Sequence, residues 1–131
     1  MTVFVETDFL LALAKDDDWL QQSAESVLAS KEVVTSPLAY LELLLVLERH
    51  QFDYARLFAN LLDLVPVSDD EERQVVLKAV TYFEEGLTPF DAFHVATAET
   101  RGLPIQSSDG AYEEVDPDRR PLEPDNAESD G

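Results

Sequence analysis

The chain has 131 residues, 45% of them apolar, and carries 28 acidic against 9 basic side chains, for a formal charge of −19. That length suits one domain of roughly 100 to 150 residues. The apolar content excludes a disordered chain, no apolar run approaches the roughly 18 residues of a membrane-spanning helix, and the lack of cysteine excludes disulfide scaffolds, thiolate zinc and cysteine nucleophiles.

The N-terminus runs straight into the strand-like Val3-Phe4-Val5 without the basic-then-apolar layout of a secretory signal, so a cytoplasmic protein with no membrane attachment is expected. Val3 to Glu6 reads as a first strand, and Thr7 or Asp8 as the cap of a helix through Phe9, Leu10, Leu11 and Leu13. A second helix covers Trp19 to Ser30, Val33 to Thr35 is a short buried strand, and Pro37 opens a helix to about His50. Helix continues over Asp53 to Leu64. Val65-Pro66-Val67 reads as a short edge strand, because proline cannot donate to a ladder. Ser68 caps a long acidic helix to about Glu85, which Gly86 stops. Thr88-Pro89 opens a helix to about Arg101, Gly102 ends it, and Pro104 to Ser107 is the next strand, followed by the turn Ser108-Asp109-Gly110.

Short β-branched runs alternating with longer helical ones imply an α/β domain with a parallel sheet. Its extent is residues 1–115. Residues 116–131, rich in proline and acid, read as a flexible acidic tail in which Arg120 to Leu122 adds a last edge strand.

Several carboxylates stand where packing alone would not put them. Every other position from Leu38 to Leu47 is apolar, so Glu42 is expected on a buried helix, where an ionised group needs a partner. A salt bridge to Arg49 or Arg101 answers that need, and so does a metal. Asp91 stands three residues after Thr88, where a capping-box acid belongs, yet it shares a helical face with Val95 and Ala98. Such a face packs on a sheet and aims the carboxylate along the sheet's end. His94, between Phe93 and Val95, reads as a core histidine rather than a ligand. Asp109 follows a strand and serves either as a turn aspartate or as part of the ligand-binding end of an open α/β sheet, where Glu6-Thr7-Asp8 also falls. Ser107 or Ser108 is placed to orient a carboxylate there.

Carboxylates gathered at one place repel, and a hard divalent cation resolves the repulsion. Magnesium or manganese then activates water for phosphodiester hydrolysis with no side-chain nucleophile.

In register with one another, Val3-Phe4-Val5-Glu6-Thr7-Asp8-Phe9-Leu10-Leu11, Ser36-Pro37-Leu38-Ala39-Tyr40-Leu41-Glu42-Leu43, Leu87-Thr88-Pro89-Phe90-Asp91-Ala92-Phe93-His94-Val95-Ala96-Thr97-Ala98 and Ile105-Gln106-Ser107-Ser108-Asp109 make the chain resemble PIN-domain nucleases. The resemblance spans about residues 2 to 115 and is nearest to the VapC-like toxin ribonucleases of toxin–antitoxin systems. It implies a three-layer α/β/α fold with a central parallel sheet of four to five strands, a Mg2+ or Mn2+ site, cleavage of RNA, a homodimer, and a separately encoded antitoxin protein. By position, Glu42, Asp91 and Asp109 match the family's second, third and fourth acids. The family's first aspartate falls on Glu6 and its following asparagine or serine on Asp8. Either Glu6 ligates with its longer reach, or Asp8 takes over, or catalysis is weakened.

Three functions are therefore open: an endoribonuclease toxin, a PIN-like scaffold that binds RNA or protein without cutting, and a nuclease of DNA ends or flaps. The acidic charge opposes a polyanionic substrate. Acids scattered along the whole chain, however, resemble the surfaces of halophilic proteins, which points to a halophilic archaeon, and in molar salt the Debye length falls to about 3 Å. Arg49, two helical turns beyond Glu42, is read as a surface partner of Glu48 or Asp53 rather than a phosphate contact.

Overall fold

A computed structural model describes residues 1–14, 19–107 and 119–121. The order is β1 (Thr2–Phe4), α1 (Thr7–Ala14), α2 (Trp19–Ser30), β2 (Glu32–Val34), α3 (Pro37–Leu47), α4 (Tyr54–Leu64), α5 (Asp70–Glu84), α6 (Pro89–Thr100), β3 (Ile105–Ser107) and β4 (Arg119–Pro121). The chain is α/β but dominated by helix.

The helices start and stop where side chains satisfy their terminal backbone groups. The Asp53 carboxylate accepts from the Arg56 amide at 3.2 Å, and the Thr88 hydroxyl accepts from the Asp91 amide at 3.3 Å. The acidic helix α5 is capped by Asp69, whose carboxylate accepts from the Glu72 amide at 2.9 Å, and not by Ser68. Ser68 instead donates through its amide and its hydroxyl to Glu72, at 3.1 and 2.8 Å. Helices α5 and α6 both end in a left-handed glycine, Gly86 at φ 116° and Gly102 at φ 67°. After α6 the Gly102 amide bonds to Glu99 and the Leu103 amide to Ala98, the two bonds of a Schellman stop.

Strand β1 pairs with β2 in parallel, Thr2 opposite Glu32 and Phe4 opposite Val34, and β3 pairs with β4 in parallel. Among the described residues these are two separate two-stranded sheets, so the expected single sheet of four to five strands is not formed by them. Val65-Pro66-Val67 is one reason. It lies beside the end of β2, but among the described residues a single backbone bond joins the two, from the Thr35 amide to the Pro66 carbonyl (2.9 Å), and proline has no N–H to return. A single bond does not make a strand.

The buried side of α3 holds the core together, with Tyr40, Leu43 and Leu44 fully buried. Tyr40 packs on Phe58 of α4 at a ring separation of 5.7 Å and donates its hydroxyl to the Val65 carbonyl at 2.7 Å. Burial pushes the Tyr40 phenol far above its ordinary value, so it stays a donor. Helices α5 and α6 pack on one another. Tyr82 and Lys78 both reach Glu99 between them, and Arg101 reaches Glu71 at 3.7 Å. No helix among the described residues is long and apolar enough to cross a membrane. Most of the expected acidic tail, 116–131, lies outside the described residues; its Arg119–Pro121 part is β4, one residue earlier than expected.

Candidate metal centre

The end of β1 is anchored to its neighbour by more than the strand ladder. The Val5 amide donates to the Val34 carbonyl at 3.0 Å, and the buried Thr35 hydroxyl donates back to the Val5 carbonyl at 2.7 Å. Thr35 therefore bonds Val5 through its side chain and Pro66 through its backbone. A buried hydroxyl with a partner costs little and holds its neighbours in register, so the chain leaves β1 toward Glu6 from a fixed point.

Helix α1 begins at once, at Thr7. Thr7 and Asp8 thus lie in the first helical turn and neither precedes the helix as a cap, while the Glu6 carbonyl accepts from the Phe9 amide at 3.1 Å. The Thr7 hydroxyl turns outward to α3 and donates to Glu42 Oε1 at 2.9 Å, with the Ala39 carbonyl farther off at 3.4 Å. One hydroxyl proton serves one acceptor, and the shorter contact is to the carboxylate. This bond joins the Glu6-Thr7-Asp8 turn to Glu42 across 35 residues of sequence.

Glu42 is exposed, against the expectation of a buried carboxylate. The apolar run around it misleads because Leu38 and Val46, one helical turn to either side, are themselves 60% and 51% exposed. The stripe Leu38-Glu42-Val46 faces outward while Tyr40, Leu43 and Leu44 face the core, so water and Thr7 satisfy the charge. No ion pair among the described residues involves Glu42; Arg101 is taken by Glu71.

Asp91 is half-buried in the first turn of α6, a helix that packs against α3. It sits where the positive end of the helix favours an anion. Glu6 and Asp8 are exposed, and Asp8 stands at the rim of a groove floored by Phe9, Ala12, Ala24 and Val27 between α1 and α2. His94 is exposed and is no core residue: α6 buries Ala92, Phe93, Val95 and Ala96 and turns position 94 outward. Asp109 and Ser108 lie outside the described residues, as does the side chain of Ser107.

Among the described residues no three histidine, aspartate or glutamate side chains are grouped closely enough to hold a metal ion. What the fold brings together is narrower: the first acidic turn and Glu42, through Thr7. From the residues alone Thr7 reads only as a helix cap. Its signal was a small hydroxyl between two acids at a strand end. The donors on hand, Glu6, Asp8, Glu42 and Asp91, are all carboxylates, which suits a hard divalent cation. Thr7 occupies one oxygen of Glu42 and leaves the other for such an ion.

The sequence model of the PIN domain matches residues 3–117. A solved structure, that of the Mycobacterium tuberculosis VapC20 toxin, which cleaves the sarcin–ricin loop, is 25% identical over 86% of this chain and 93% of that one, with a TM-score of 0.39. Comparison with curated proteins gives no significant match.

Proposed function

Because the chain belongs to the PIN-domain family, we propose that it is a metal-dependent endoribonuclease, the toxin of a toxin–antitoxin pair. The observation that carries this reading is the Thr7–Glu42 bond, which sets the acidic turn after β1 against the acid of α3. Within the proposal, Glu42, Asp91, Asp109 and one of Glu6 and Asp8 hold Mg2+ or Mn2+. A bound divalent ion would supply Lewis-acid activation of water and neutralise charge at the scissile phosphate. The chain's own part is positional. Thr7 holds the Glu42 carboxylate in one orientation, and the start of α6 holds Asp91 where its helix favours negative charge.

The charge of −19 opposes RNA at low salt, so the reading includes a salt-adapted protein that works when screening is strong. A cytoplasmic homodimer held in check by a separate antitoxin protein completes it. In molar potassium chloride the protein should cut single-stranded RNA in the presence of manganese, stop when the metal is chelated, and leave a matched DNA strand intact. Cleavage that survives chelation, or an Asp91→Asn variant of undiminished activity, overturns the assignment. Cutting of the DNA strand alone would favour the end or flap nuclease.

A second reading has one observation behind it. The place of the family's first aspartate is taken by Glu6, which is longer by one methylene and exposed. A scaffold that binds RNA or protein without cutting would follow if that change had abolished catalysis. Glu6→Asp decides the matter. A gain of cleavage from nothing supports the scaffold reading, whereas activity already present in the parent and little altered by the substitution supports the ribonuclease.

A further inference from the structure

A solvent-open cavity of 450 Å³ lies between the turn after α3 and the C-terminal end of α5, lined chiefly by Glu48, His50, Phe52, Tyr54, Phe83 and Glu84. None of these is a candidate metal ligand. Their four rings form a continuous series: His50 to Phe52 at 6.2 Å, Phe52 to Tyr54 at 5.8 Å and Tyr54 to Phe83 at 5.1 Å, each pair inclined by 61° to 79°. Rings so inclined present both faces and edges along one wall. Tyr54 is fixed in that wall, because its hydroxyl lies within bonding distance of the carbonyls of Leu47 (2.7 Å) and His50 and gives its one proton to either.

The full charges that line the cavity are carboxylates; Arg49, between Glu48 and His50, is exposed, lies outside the lining, and among the described residues does not form the expected ion pair with Glu48. Helices α3 and α5 both end there, and neither carries a basic residue in its last turn, so the negative ends of two helices are left uncompensated by their own side chains. Glu48 and Glu84 add two full charges, and neither takes part in an ion pair among the described residues. Their field is felt at Tyr54, whose phenol is raised above its ordinary value by burial and then by these two carboxylates.

We propose that this cavity is a guanidinium site that takes an arginine side chain from a basic partner polypeptide. An aromatic wall beside carboxylates matches a cation that is planar, weakly hydrated and able both to stack on a ring and to fork onto oxygens, which distinguishes arginine from lysine. The volume lies within the roughly 300 to 1,000 Å³ of small-molecule pockets and is ample for an arginine side chain. The overall charge of −19 draws a basic chain toward the surface, and Phe52, 40% exposed, stands at the opening.

The test is a nuclear magnetic resonance titration of the full-length protein with acetyl-Gly-Arg-Gly-amide, its lysine counterpart, and free arginine amide. The arginine peptide should shift the resonances of residues 48–54 and 83–84 saturably and bind about threefold more tightly than the lysine peptide. Phe52→Ala should weaken the arginine peptide about threefold and remove the preference, with the circular dichroism spectrum unchanged. Should that variant unfold, Glu84→Gln, an exposed isosteric change, must weaken binding in its place. Equal binding of both peptides, or shifts scattered over the acidic surface, overturns the site. Free arginine amide binding as tightly as the peptide overturns the polypeptide partner. RNA cleavage by Phe52→Ala is expected to equal the parent's, so this proposal and the ribonuclease reading fail separately.

Discussion

Under the proposed ribonuclease activity, replacing Glu42 with glutamine is expected to lower metal-dependent RNA cleavage by roughly 100-fold or more, the scale seen when one preorganised electrostatic group is removed from a reacting centre. The substitution keeps the shape of the side chain and can still accept the Thr7 hydrogen bond, but it removes the charge that a divalent cation needs. Because Glu42 is exposed and pairs with no cation among the described residues, stability should change by no more than about 0.5 kcal/mol. Cleavage rates in saturating manganese, set beside urea melts of both proteins, measure the two effects apart. Thr7→Val should act in the same direction but more weakly, by roughly 10- to 100-fold, since it removes the group that orients the carboxylate rather than the carboxylate itself. Glu42→Gln cleaving at the parent's rate would remove Glu42 from the metal set.

Phe58→Ala should produce the largest loss of stability. The ring is fully buried, packs on Tyr40, and sits where α4 meets the inner face of α3. Truncating a buried phenylalanine costs about 3 to 5 kcal/mol, against a total of about 5 to 15 kcal/mol for an ordinary domain. A urea midpoint measured in molar salt, where self-repulsion from the net charge is screened, should fall by a large fraction or the variant should not fold. Leu38→Ala is the contrast. Leu38 is 60% exposed on the outer stripe of α3, so the loss there should stay near 0.5 kcal/mol. A loss comparable to that of Phe58→Ala would mean that the stripe is covered in solution.

That contrast marks the boundary between what could and could not be read from the residues. Helices α2, α4 and α6 lie where Trp19 to Ser30, Asp53 to Leu64 and Thr88 to Arg101 placed them, within a residue at the capped ends. Such boundary signals are short-range: Asp53 and Thr88 start α4 and α6 by reaching amides three residues on, and the glycines that stop α5 and α6 take positive φ. At α5 the misplaced cap had two acceptors competing side by side, whereas at α1 the expected caps Thr7 and Asp8 lie within the helix. Asp69 won the Glu72 amide, and Ser68 was left to bond the Glu72 side chain. Strand β2 came out one residue early because Thr35, β-branched and buried, looks like a strand residue while its hydroxyl serves the Val5 carbonyl. The helical turn expected to carry α3 on to His50 is replaced by a tight turn in which the His50 amide donates to the Leu47 carbonyl at 2.9 Å, with the Tyr54 hydroxyl on the same carbonyl.

The carboxylate pool with which the sequence singled out this chain divides along the same line. That acids stand at the end of β1, in α3 and at the start of α6 follows from the order of residues alone. Family membership follows from it too, because spacing between motifs is a property of the chain before it folds. Which way each carboxylate faces does not. An apolar run such as Leu38 to Leu47 has no polar face to betray its outside, so only the packing of α1, α5 and α6 against α3 could decide that Leu38, Glu42 and Val46 face water. The partner of Glu42 was decided in the same way. Thr7 lies 35 residues away, and a hydrogen bond of 2.9 Å between them exists only once β1 is held beside β2 and α1 packs on α3.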